Sequence, residues 1–364
     1  MPAVPTPLLH GLRVLDLGIW RPVPYATQLL AEMGADVIKI EPPGGDPMRV
    51  FPPLFDVLNA GKRSTVADLK DPEGRARVLE LAADAEVVME GFRPGVADRL
   101  GVGYAAVRAC NPSVVYCSIS GYGATGPLAP VPGHDINYQA YAGVLAPSGG
   151  PPRAATIPVG DLGAGMAAAM AVLAACLRAR ASGEGEYVDV GIADVLATWT
   201  GAVGTLTPAG SPVPMNGMPG YGIYRTADDR YVTMGVLAEQ HFWSRMCRAL
   251  ALEGLEDLPL GDRIRRKVEL DEQVASAVAR RTLKEVQADL VAHDVPVAPV
   301  LDRAAMLALD HFRERGTVLG ELGPGAPATP ALGHPARYEV HPARTPGPVP
   351  VLDETRTVSW GDGS

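Results

Sequence analysis

The sequence predicts an α/β protein, with a large lobe on a parallel sheet and a smaller α+β lobe, and three observations carry that reading. Strand-like and helix-like segments alternate through the first third of the chain. Pro and Gly then interrupt regular structure between 201 and 222. A strand pair followed by helices resumes beyond that break.

LRVLDLG reads as the first strand. YATQLLAEMGADVIKIE reads as a helix running into a strand, TVADLK as a short strand, RARVLELAADAEVVMEG as a helix and strand, and SVVYCSIS as a further strand. Loops rich in Gly and Pro follow, from Gly121 to Pro132 and near Gly149 to Pro158. Next comes an Ala-rich helix from about Asp161 to Arg180, apolar nearly all round and therefore expected to be buried. In IYRTADDRYVTMGV, Asp228-Asp229 suits the turn of a strand pair, and helices are expected around His241 to Leu250 and Glu269 to His293. The tail beyond Gly320 is rich in Pro and polar residues, which suits an extended return over the body. The expected division is a large lobe over 1–200, a linker or active-site loop over 201–222, a small lobe over 223–310 and a return segment over 311–364.

The bulk numbers agree. A chain of 364 residues exceeds one compact domain, and 47% apolar with 20% charged residues is a globular composition. A net charge of −9 argues against non-specific binding to nucleic acid or an anionic membrane. Cys110, Cys117, Cys176 and Cys247 form no CxxC pattern, so neither a metal site nor a disulfide framework is expected. No secretory signal is visible, and the apolar stretch Leu162 to Leu177 is short and rich in Gly and Ala. A cytoplasmic protein is expected.

Familiar nucleotide motifs fail on context. GYGATG at Gly121 to Gly126 matches GxGxxG, but Pro127, Pro130 and Pro132 follow where a helix should open. It reads instead as a glycine-rich loop approaching a ligand. GKRS at Gly61 to Ser64 lacks the upstream Gly of a P-loop, and neither HExxH nor GxSxG occurs. Lys39, Lys62, Arg63 and Arg93 each read singly as solvated surface cations. As a set at one end of an α/β sheet, they suit phosphate groups.

Two residues carry candidate chemistry. Asp161, in PVGDLGAGM, precedes the Ala-rich helix, so it reads both as an N-cap and as an ionised base or nucleophile. Gly160, Gly163 and Gly165 let a ligand approach it. His134 lies in a Pro-rich loop leading to a helix capped by Asp135. Glu239 starts a later helix, where an acid complements the helix dipole.

Together these segments resemble the class III CoA-transferase (CaiB/BaiF) and α-methylacyl-CoA racemase superfamily. The resemblance runs from HGLRVLDLG and LLAEMGADVIKIEPPGGDPMR through LNAGKRSTVADLKDPEG, VVMEGFRPGVADRLGVGY and NPSVVYCSISGYGATGP. It continues through PVGDLGAGM, IYRTADDRYVTMG, HDVPVAPV and DHFRERG, covering nearly the whole chain in order. It implies a Rossmann-like lobe completed by the C-terminal tail, a smaller middle lobe and an interlocked homodimer. It also implies an acyl-CoA substrate, no cofactor beyond the CoA moiety, no metal, and CoA contacts at Lys39, Lys62, Arg63 and Arg93.

Two reactions occur in the superfamily. In the transferases Asp161 matches a nucleophile that forms a mixed anhydride and then a thioester with CoA. In the racemases the same aspartate and the histidine of GHDINY are the two acid/base groups. This chain has GHDINY intact from Gly133 to Tyr138, which makes α-carbon epimerisation of a 2-methylacyl-CoA the leading expectation and CoA transfer the alternative. Proton transfer on opposite faces of an enolate suits an imidazole paired with a carboxylate. The resemblance also implies a glutamate orienting His134. Glu239 stands one residue beyond the matching place, which Ala238 occupies.

Overall fold

The computed structural model describes residues 5–145, 151–202, 218–320, 331–352 and 358–361. Most of the expected linker, residues 203–217, lies outside the described residues. The chain divides into a unit formed by 1–202 and 310–364 and a second unit formed by 203–309.

The first unit is built on six strands: β1 (Arg13–Asp16), β2 (Asp36–Glu41), β3 (Arg63–Val66), β4 (Val87–Glu90), β5 (Val115–Ser120) and β6 (Glu186–Gly191). Their order is β3-β2-β1-β4-β5-β6, and every pairing is parallel. The parallel α/β sheet expected from the sequence is thus present. Alternating strand residues serve opposite faces, as the pleat requires. Val14, Val87, Met89, Val115 and Cys117 join one core with helices α1 (Pro22–Glu32), α7 (Val159–Ser182) and α8 (Ile192–Ala202). Leu15, Ile38, Val88 and Tyr116 join the other, against α3 (Pro72–Ala83) and α5 (Tyr104–Cys110). Three shorter helices, α2 (Pro52–Asn59), α4 (Val96–Arg99) and α6 (Asp135–Tyr141), complete the count up to α8.

The tail is laid along this unit. Gly61 N–H donates to the Pro348 carbonyl, Trp360 Nε1–H donates to that of Leu81, and Val358 is buried in the second core.

Helix α7 differs from its expectation. It runs from Val159 to Ser182 and stops at Gly183, whose φ of 74° ends it in the left-handed region. One side packs on α1, α8, β5 and β6. Met166, Met170 and Leu177 form an exposed stripe instead of being buried, because an all-apolar helix at the surface of a unit buries only the face that meets the sheet. Its length and composition would also suit a membrane span, although its inner face is core here.

The second unit carries an antiparallel sheet of β7 (Tyr221–Arg225), β8 (Tyr231–Gly235) and β9 (Val297–Pro299). Asp229, at φ 60°, turns the β7–β8 hairpin. Helices α9 (Gln240–Leu250), α11 (Lys267–Ala279) and α12 (Leu283–Ala292) supply Trp243, Met246, Val274 and Val286 to its core, with α10 (Leu260–Arg265) between α9 and α11. The expected single helix Glu269 to His293 is two helices. They break at Thr282, whose hydroxyl accepts the Glu285 N–H while the Glu285 carboxylate returns to the Thr282 N–H.

Candidate active site

Strand β1 is where the sheet order reverses, with β2 on one side and β4 on the other. Connections leaving such neighbours go to opposite faces, which opens a crevice at the C-terminal strand ends. A cavity of about 470 Å³ lies there. Arg21 and Val23 line it after β1, Arg93 after β4, Ser120 at the end of β5, and His134 and Asp161 complete it. The two residues assigned chemistry from sequence therefore share one cavity within the first unit. Gly121, at the start of the glycine-rich loop, also lines it; a Cβ there would sit 2.4 Å from the Tyr138 ring.

Asp161 is the third residue of α7, not its cap. The cap comes from another helix: Asp135 Oδ1 accepts the N–H groups of Gly160 at 2.7 Å and Asp161 at 3.1 Å. Gln139, buried, donates to the other Asp135 oxygen. His134 holds the N-cap position of α6 that was expected for Asp135, with its own N–H bonded to Asn137 Oδ1 at 3.0 Å. One dipeptide thus places the imidazole directly and the carboxylate through the backbone of α7. Gly160 is required by this approach, since a Cβ would meet Asp135 Oδ1 at 2.8 Å and Leu196 at 3.0 Å.

Burial, then the charge of Asp135, pushes the Asp161 carboxyl up to about 6, while Arg21 and His134 pull it back. Near neutral pH it is mostly ionised, yet far more basic than a solvated aspartate. Burial also pushes Tyr138 up to about 12, so its hydroxyl, which donates to the Gly133 carbonyl at 2.6 Å, stays protonated.

The expected CoA-binding set separates. Lys39 and Lys62 are buried, Lys39 donating to the Gly18 carbonyl and pairing with Asp46, and Lys62 pairing with Asp16 at 3.0 Å. Lys62 also donates to Pro24 O, Thr27 Oγ1 and Asn59 Oδ1. Arg63 is committed to Asp36 and to the Ser359 carbonyl of the tail. None of these three placements suits the phosphate contacts expected of them. Lys39 lies within β2, whose residues point into protein on either face, whereas Lys62, just before β3, is drawn in by its own partners. Arg93 alone of the set is exposed and lines the cavity. Glu239 stands in the second unit as the N-cap of α9, accepting the Leu237 N–H at 3.2 Å.

A family model described as CoA-transferase family III matches residues 9–356. The chain belongs to CoA-transferase family III. Succinate–glutarate CoA-transferase of Agrobacterium fabrum is 32% identical to it over 376 residues, covering 96% of this chain and 94% of that protein. α-Methylacyl-CoA racemase of Homo sapiens is 31% identical over 324 residues, covering 85% and 82%. A solved structure of a CAIB/BAIF family protein from Brucella suis matches with a TM-score of 0.83 at 27% identity, covering 96% and 97%.

For this family III chain, sequence reasoning missed Arg21 and mistook the role of Asp135. Arg21 had a readable signal: it lies in the short turn after the first strand and directly precedes Pro22, where a parallel sheet opens its binding crevice. The cross-helix cap made by Asp135 had none, because its partners lie 25 and 26 residues away in sequence.

Proposed function

We propose that this chain transfers CoA between carboxylic acids through Asp161. The supporting observation is a carboxylate of raised basicity in a partly enclosed cavity that also holds two arginines. Beside the named CoA-transferase, three further CoA-transferases are 31–33% identical to this chain. Asp161 attacks the donor thioester carbonyl, so that a C–O bond forms, the C–S bond breaks and CoA leaves as thiolate. The thiolate then attacks the Asp161 carbonyl of the mixed anhydride, releasing the donor acid and leaving an aspartyl-CoA thioester. The acceptor carboxylate and the thiolate repeat these steps in reverse order, freeing Asp161. Position in the first turn of α7 favours the ionised carboxylate at the start and end of the cycle. Arg93 is the candidate for a CoA phosphate.

A second reading, α-carbon epimerisation, is favoured by one observation: His134 lines the same cavity and its charge acts on Asp161. Incubation with an acyl-CoA in D2O without added carboxylate separates the two. The transfer reading expects CoA transfer once an acid is added, and a His134→Ala variant that still transfers. Deuterium entering the α-carbon at a turnover rate, lost in His134→Ala, would overturn it in favour of epimerisation.

The chain is also proposed to form a homodimer, with the apolar stripe Met166, Met170 and Leu177 among the covered residues. Met170→Glu should shift the mass measured by sedimentation toward one chain. A wild type that sediments as a monomer at micromolar concentration would refute the dimer.

A further inference from the structure

Ser120 and Tyr122 line the cavity, are each 7% exposed, and carry hydroxyls with no hydrogen-bond partner among the described residues. Buried polar atoms are nearly always paired, because an unpaired one forfeits its hydrogen bonds to water. Two such hydroxyls, two residues apart on one cavity wall, mark a place prepared for a ligand.

Both are mounted rigidly. Ser120 is the last residue of β5 and pairs with Gly191 of β6, and the Gly121 carbonyl after it accepts the Ala193 N–H at 3.0 Å. The Tyr122 ring stands edge-on to Tyr138 and Tyr141 of α6, at centroid distances of 5.1 and 5.5 Å. Beyond it Gly123 takes a φ of 82°, and the Ala124 N–H donates to Asp189 Oδ2 at 2.9 Å. Hydroxyls on such mounts lose little freedom when they bind.

Contacts carry both of them to the Asp161 end of the cavity. Tyr122 Oη lies 3.1 Å from the point that a Cβ on Gly133 would take, and the next two residues are His134 and Asp135. Asp135 Oδ1 in turn accepts the Asp161 N–H at 3.1 Å. The Cα atoms of Gly133 and Asp135 are at most about 7.6 Å apart, so one short turn touches the tyrosine hydroxyl and fixes the aspartate. On the Ser120 side, Ile192 follows Gly191, and its Cγ2 lies 3.0 Å from the point that a Cβ on Gly160 would take.

Neither hydroxyl needs a charged partner, and each donates one hydrogen bond. In a cavity of about 470 Å³ that also holds Asp161, the acceptor an acyl-CoA brings to that end is its thioester carbonyl. We infer that Ser120 and Tyr122 are catalytic residues that donate hydrogen bonds to this carbonyl oxygen. When the Asp161 carboxylate attacks, the C–O bond forms as the carbonyl π pair moves onto the oxygen. The hydroxyls stabilise that charge and keep their protons, and the pair returns as the C–S bond breaks and thiolate leaves. The effect on rate rests on the CoA-transfer reading, whereas the contact itself is measurable without turnover.

The test uses wild type, Ser120→Ala and Tyr122→Phe. Calorimetry compares two inert analogues of acetyl-CoA: a ketone, in which methylene replaces the sulfur, and the same molecule with methylene also in place of the carbonyl. Wild type should bind the ketone more tightly, and each substitution should cut that preference roughly 3-fold to 10-fold, the worth of one neutral hydrogen bond. In transfer assays kcat should fall roughly 100-fold in each variant while KM moves little. The urea midpoint should not drop, because each lost hydroxyl had no partner in the chain. A binding preference or a kcat left unchanged by either substitution overturns the inference for that hydroxyl. A wild type that binds both analogues equally, or neither, overturns it for both. Equal weakening of the ketone, its carbonyl-free counterpart and free CoA would assign the hydroxyls to the CoA arm, and lost activity with a lowered urea midpoint would assign them to the fold; either result overturns the inference. A wild type that moves CoA to no acid, yet prefers the ketone through these hydroxyls, supports the contact and sinks the transfer reading alone.

Discussion

On the proposed CoA-transfer reading, Asp161→Asn is expected to lower transfer by roughly ten-thousand-fold or more, because an amide can neither attack a thioester nor carry CoA. The protein should stay folded, and the pH dependence of stability shows why. The folded carboxyl titrates at about 6 against the usual 3.8. The native state therefore holds its proton more tightly than the unfolded chain, and wild-type stability falls as pH rises through that window. Above it, Asn removes a buried charge, so the variant should unfold at a urea concentration no lower than wild type at pH 8. Wild-type kcat/KM should in turn fall as pH drops through about 6, where the nucleophile gains its proton. A variant that keeps a tenth of the activity in an assay of thioester exchange would remove Asp161 as the nucleophile.

Lys62→Met should cost about 3–5 kcal/mol of stability, the usual result of breaking a buried ion pair from one side. Asp16 is fully buried, and burial raises its pKa. The charges of Lys62 and Lys39, with the Thr27 hydroxyl and the Gly18 N–H, outweigh that and hold it below the ordinary value. Without Lys62 that balance fails, because Lys39 is already engaged with the Gly18 carbonyl and Asp46. Asp16→Asn in the same chain should recover part of the loss, since the charge left alone is then absent. Urea unfolding measures both. A single substitution costing under about 1 kcal/mol would show that water, not Lys62, compensates Asp16.

Much of the site was legible in sequence because its chemistry is carried by short segments. PVGDLGAGM placed Asp161 at a helix start among small residues, and GHDINY placed His134 before another helix. What those segments withheld was direction. Asp161 looked like a cap and is capped, while Asp135 looked like a cap for its own helix and serves α7 instead. The cations misled for a related reason. The sequence shows that Lys39, Lys62 and Arg63 lie in or beside strands, but not that Asp46, Asp16 and Asp36 wait for them.

The sequence by itself determined the alternation of strands and helices, the break before the second unit and the residue types able to act on a thioester. Those properties follow from local periodicity, turn chemistry and side-chain identity, which act over a few residues. Only the tertiary structure decided which charges meet. Strand order β3-β2-β1-β4-β5-β6 brings the turns after β1 and β4 to one cavity, and so sets Arg21 in the same cavity as Asp161 across 140 residues of chain. The same folding draws Lys62 inside, because an ammonium can leave water only where a carboxylate and carbonyls are already arranged to replace it.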